Sequence, residues 1–272
     1  MVTMPPSEHH AHLQLQHGGD GAGVILPHRS IWSLRLPKRR LAGGVLIALA
    51  FTLALAWAQP WVATFWGQQL VWWMQSLALP GQFTGAVLGE PDLFSLPVPM
   101  IDVHLRAEGR FGVVAHALAA VVVWVVAGWL PDGAKPAAFL LRFGALIHGA
   151  SVLYFLLWPG SFPHSLISHT GGGLRQTWAL MLLTPWLHLF TYYLFPFAVW
   201  QRVAVTALTL AFLFVLAPLQ YATHAALLYL SGLIVMPLLH LLFGVMLPIL
   251  GFVALYGWGM SWHNPTQKGQ EA

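Results

Sequence analysis

Fourteen histidines and no cysteine set the chemistry open to this chain. A neutral imidazole ligates transition metals, moves protons near neutral pH and hydrogen-bonds polar headgroups; thiolate metal sites, disulfides and a cysteine nucleophile are excluded. His148 and His188 each fall near the middle of a long apolar run. Projecting from facing helices, such a pair suits the axial positions of a haem b. The other reading, and the preferred one, is a pair of core histidines bonded to hydroxyls or backbone carbonyls. His240 also lies inside an apolar run, and burial in lipid is costly enough that all three side chains are expected to point into a bundle.

Three further groups carry polar chemistry. The segment WPGSFPHSLISHTGGGLRQT reads as an outer loop and offers His164 and His169 beside Ser161, Ser165, Ser168 and Gly171 to Gly173, with His116 and His224 at similar depth. These are candidates for a metal or quinol-headgroup site, although no carboxylate in the loop completes a usual ligand set. In PMIDVHLRAEG, Ile101, Val103 and Leu105 alternate with Asp102, His104, Arg106 and Glu108. That period of two predicts a short half-buried strand or hairpin whose charged face is solvated, with docking of a partner protein as the second reading and a catalytic site as the third. His9, His10, His12 and His17 sit in a polar tail, where a weak metal site competes with simple solvation. No residue is assigned a catalytic role: HExxH, GxSxG, Gly-rich phosphate loops and histidine boxes of the iron-oxidase kind are all missing from the sequence.

The elements that must position these residues are membrane helices. Of the 272 residues 58% are hydrophobic and 7% charged, against roughly 25% charged in a soluble domain. The fold class is therefore an all-α polytopic membrane bundle of about six helices. The apolar runs 41–58, 111–131, 137–158, 175–197, 202–219 and 225–258 are the predicted spans within one transmembrane domain, 41–262. The last run is too long for one straight crossing and contains Pro237 and Pro248, so one kinked helix is expected, a seventh span being the alternative. Gln59-Pro60 is read as ending the first helix. After it, Thr64, Gln68 and Gln75 lie opposite Trp66, Trp73 and Leu77, the pattern of an amphipathic helix in the outer interface. This helix opens an extracytoplasmic segment, 60–110. Thr177, Thr184, His188, Thr191 and Tyr192 form one inward-facing polar stripe, and Gly144, His148 and Ser151 another.

Residues 1–40 read as a flexible, histidine-containing tail that ends in a basic flank, and 263–272 as a short C-terminal tail. Arg29, Arg35, Lys38, Arg39 and Arg40 precede the first run. With Lys135, Arg142, Arg202 and Lys268 they place nine basic residues on one side, against Arg106, Arg110 and Arg175 on the other. The positive-inside rule then makes the N-terminus cytoplasmic, in a bacterial inner membrane. The basic residues form no broad face interleaved with aromatics, which argues against nucleic-acid binding.

The layout from Trp66 to Glu108, a Trp-rich stretch followed by SLPVPMIDVHLRAEG, is similar to that of exosortase-type membrane transpeptidases. That family relies on a cysteine nucleophile in this region, so in a cysteine-free chain the resemblance implies no such activity. The expected function is a non-catalytic integral membrane subunit or scaffold of a multi-component bacterial envelope complex, in contact with lipid and with other membrane or periplasmic subunits. The alternatives are a redox subunit binding haem b or quinone through its intramembrane histidines, and a transporter or channel. No Asp, Glu or Lys lies inside any span, so a coupled carrier would depend on histidine.

Overall fold

A computed structural model describes residues 38–84, 97, 100–105, 109–158, 160–194 and 197–262. The expectations for the N-terminal histidine tail, for Arg106 and Glu108, and for the C-terminal tail fall outside these residues. Contacts divide the chain into Met1–Arg40 and Leu41–Ala272, and the second unit carries the bundle.

Six long helices are described: α1 Lys38–Ser76, α2 Arg110–Gly128, α3 Lys135–Leu157, α4 Leu166–Leu194, α5 Val199–Ser231 and α6 Leu233–Met260. Five of them are long and apolar enough to cross a membrane, and the chain is a multi-pass membrane protein. The exception by composition is α4. It buries Thr177, Thr184, His188 and Tyr192 inside the bundle, and an inward polar stripe lowers a helix's hydropathy without exposing polar groups to lipid. The stripe on α3 is likewise buried: Gly144, His148 and Ser151 all face inward.

Two strands, β1 Gly81–Thr84 and β2 Met100–Val103, pair antiparallel with Gly81 opposite Val103 and Thr84 opposite Met100. The alternation seen in the sequence holds where it is described. Ile101 and Val103 are buried in the core cluster with Leu166 and Leu174, while Asp102 and His104 are exposed.

The helices depart from the predicted spans in three places. Pro60 does not end α1, which continues unbroken to Ser76. A helix-interior proline removes one intrahelical bond, and here packing outweighs that loss. Val62, Trp66, Leu70 and Met74 form a buried stripe against the bundle, so this stretch is core rather than a helix detached in the interface, although Thr64, Gln68 and Gln75 do remain on its exposed face. Second, α4 begins at Leu166 and absorbs the HTGGG segment that was predicted as loop. Third, the break between the last two helices falls at Gly232, whose φ of 75° suits glycine, so Ala225 to Ser231 belong to α5. Beyond the break α6 changes character repeatedly: a 3-10 turn at Leu233–Val235, a π-helical stretch at Leu239–Met246, then α-helix from Leu247.

Pro218 shows how such interruptions are tolerated. Lacking an N–H, it leaves the Phe214 carbonyl without its helical donor, and the buried Trp66 indole Nε1 donates to that carbonyl at 2.9 Å.

Candidate functional site

Five helix ends meet at one end of the bundle, and each brings a histidine. His116 lies near the start of α2, His148 toward the end of α3, His169 in the first turn of α4, His224 near the end of α5 and His240 near the start of α6. Each stands within about three turns of the end concerned.

Two hydrogen-bonded histidine pairs result. In the first, His116 Nε2 lies 3.1 Å from the Ser231 carbonyl and must donate to it. A neutral His116 then accepts at Nδ1, so His148 Nε2–H donates across 3.2 Å. His148 Nδ1 is left as a buried acceptor without a partner. Ser151 Oγ donates to the Ile234 carbonyl at 2.6 Å. Side chains of α2 and α3 thus reach carbonyls on both sides of the break at Gly232, and His116 serves one of those that α5 leaves open at its end.

In the second pair, His169 Nε2 and His224 Nδ1 are 3.0 Å apart. His224 Nε2 is buried and unpartnered. Orphaned N–H groups are rarer than under-satisfied acceptors, so the favoured arrangement has His224 donating from Nδ1 and keeping a bare Nε2. His169 then carries its proton on Nδ1. The His240 ring stands edge-on to His169 at 5.7 Å, and Tyr221 contacts both His169 and His224. Gly173 makes room for Tyr221, since a Cβ there would overlap its ring.

Beside this second pair lies a cavity of about 570 Å³ between α4 and α6, lined by His164, Ser168, His169, Gln176, Met236 and His240 among others. Among the described residues the lining contains no Asp, Glu, Lys or Arg. On α4, Ser168, Gly172 and Gln176 follow one another at four-residue spacing and are all exposed, so the cavity is a groove running along the outside of the helix for about two turns. On α6 His240 is exposed as well, contrary to the expectation that it points into the bundle. It stands in the π-helical stretch, and π segments recur at functional sites.

His188 belongs elsewhere. It is fully buried, and its Nδ1 lies 3.0 Å from Thr206 Oγ1. Tyr192 donates to the Arg202 carbonyl at 2.7 Å and lies 2.8 Å from the same Thr206 hydroxyl. One assignment satisfies the whole chain: His188 Nδ1–H to Thr206, Thr206 O–H to Tyr192, Tyr192 O–H to the carbonyl. His188 Nε2 is left without a partner, and the His188 ring packs against that of Phe252 with centroids 4.7 Å apart.

His148 and His188 are therefore not brought together as axial ligands. His148 lies nine residues from the end of α3, and His188 lies 22 residues from the start of α4. At 1.5 Å per residue these are depths of about 14 Å and about 33 Å from the same end of the bundle. Their apparent equivalence in the sequence came from starting the fourth helix nine residues late. His164 and His169 do share a site, the groove, but among the described residues no three His or carboxylate side chains converge to hold a metal. Asp102 on β2 and His104 just after it are exposed. Sequence reasoning missed Gln176, Met236 and Pro237 as groove residues and Thr206 as the partner of His188. These are contacts between helices, for which spacing along one helix gives no signal.

No protein-family model, curated protein or solved structure matches the chain.

Proposed function

We propose that the protein is an accessory subunit of a bacterial inner-membrane assembly, with its N-terminus cytoplasmic, which holds a small amphiphilic ligand from the bilayer in the histidine-lined groove. The observation that carries this reading is the groove itself: a cavity of about 570 Å³ on the outside of the bundle, flanked by His164, His169 and His240. Its volume is that of a small-molecule site. Convergent polar groups at one end and Met236, Pro237 and Leu241 beside them suit a ligand with a polar head and an apolar tail. The basic-residue asymmetry supports the orientation, and the exposed Asp102 on β2 and His104 just after it offer a polar edge to a partner protein.

The test is native mass spectrometry of the full chain purified in mild detergent. The proposal expects one small amphiphile per chain, depleted in the double variant His169→Ala and His240→Ala, together with co-purifying membrane or periplasmic proteins. Only bulk phospholipid, equal in wild type and variant, would overturn it.

A further inference from the structure

We infer that the ligand of this groove is an isoprenoid quinone, bound by its headgroup; the inference rests on the ligand-binding reading above and names the class of molecule. Three features of the groove select it.

First, access is from the side. Ser168, Gly172 and Gln176 expose successive turns of α4, Leu241 on α6 is 41% exposed, and a Cβ placed on Gly172 would meet nothing within 4 Å. A groove open along the flank of a membrane bundle draws its ligand from the lipid phase and leaves a long tail outside. About 570 Å³ accommodates a substituted ring and the first part of a chain, not a whole lipid.

Second, the polar groups are neutral. A phosphate headgroup calls for Arg or Lys, and an amine calls for a carboxylate; among the described residues neither lines the groove. A quinone head is uncharged and presents two carbonyl acceptors at opposite edges of a flat ring.

Third, donors stand at both ends of the groove. His169 is held by His224 so that its Nδ1–H is the ring donor left for a ligand, and it is 8% exposed, fixed in place rather than solvated. His240 faces it from α6, and Gln176 brings an amide two turns along α4. A flat ring lying along the groove accepts from His169 or His240 at one carbonyl and from Gln176, about 10 Å further along α4, at the other, with Phe162 and Met236 beside it.

The full-length protein is reconstituted in nanodiscs of synthetic phosphatidylcholine and illuminated with a photoreactive azido-ubiquinone, with decylubiquinone as competitor. Label is expected on peptides covering 162–176 and 236–241, saturable and displaced by the competitor. The double variant His169→Leu and His240→Leu should weaken displacement at least tenfold, whereas Thr64→Ala on the exposed face of α1 leaves it unchanged. If the double variant does not fold, the mapping on the wild-type chain decides. Unsaturable label scattered over the lipid-facing sides of α2 and α3 overturns the inference. So does undiminished displacement in a folded double variant. A groove ligand detected by native mass spectrometry that decylubiquinone does not displace sinks the quinone assignment and leaves the ligand-binding reading standing. Failure of both measurements removes both.

Discussion

Thr206→Val tests the hydrogen-bond chain that fixes His188. The substitution keeps the shape of the side chain and deletes the hydroxyl that accepts from His188 Nδ1 and donates to Tyr192. Tyr192 retains its bond to the Arg202 carbonyl and loses little. His188 is fully buried, so its Nδ1–H has no water to turn to, and an orphaned buried donor costs about 1–3 kcal/mol. Hydrogen bonds between helices in a membrane are measured lower, averaging about 0.6 with a maximum of about 1.7 kcal/mol, because the separated helices find other partners. A cost of about 1–2 kcal/mol for Thr206→Val is therefore expected. Thr209→Val is the control: it is on the same helix and equally buried, but its hydroxyl donates only to the Val205 carbonyl of its own helix, so about 0.5 kcal/mol or less should be lost. Reversible unfolding in mixed micelles measures both, and repeating Thr206→Val in a His188→Leu background isolates the pair. The coupling should be about 1 kcal/mol. Equal costs at 206 and 209, or a coupling below about 0.3 kcal/mol, would refute the assigned chain.

The other predictions concern packing and backbone satisfaction. Gly173→Ala should destabilise by about 1–3 kcal/mol because the new Cβ overlaps Tyr221; Gly172→Ala, one residue away with open space around it, should be neutral or stabilising by up to about 1 kcal/mol on helix propensity. The same unfolding assay compares them. Trp66→Phe should cost about 1–3 kcal/mol through loss of volume and of the donor to the Phe214 carbonyl. In a Pro218→Ala background that cost should fall, since residue 218 then supplies the missing N–H. Ser151→Ala removes the hydroxyl bond to the Ile234 carbonyl, and hydrogen exchange should accelerate at Gly232 to Met236 while the middle of α5 keeps its protection.

The membrane class was legible because long uncharged runs have one favourable solvent, and the strand at Ile101–Val103 because a two-residue period has one buried face. Helix ends were less legible. The HTGGG segment carries the polar and small residues of a loop, yet it is helical: Thr170 bonds back to the Leu166 carbonyl and Gly173 is needed bare beneath Tyr221. Pro60 looked like a terminus because a lone sequence does not reveal that Val62, Trp66 and Leu70 pack against the bundle. The site was legible in part. The clustering of His116, His164, His169 and His224 at one depth followed from their distances to the predicted helix ends, since these four stand within a few turns of them. His240 did not follow, because the break at Gly232 was displaced in the sequence reading, and moving a helix start moves every side chain on it. The equivalence of His148 and His188 failed for the same reason at the start of α4.

The ligand site requires that the groove between α4 and α6 be open to the bilayer. The chain has no cysteine, so a single Gly172→Cys substitution, at a position where a side chain meets nothing, accepts a nitroxide label without further change. Electron paramagnetic resonance of the labelled protein in phosphatidylcholine vesicles compares collisions with dissolved oxygen, which partitions into lipid, and with a water-soluble nickel chelate. A mobile label that oxygen reaches and the chelate does not is the predicted result. A label immobilised and shielded from both would mean that the groove is closed, and the ligand site with it.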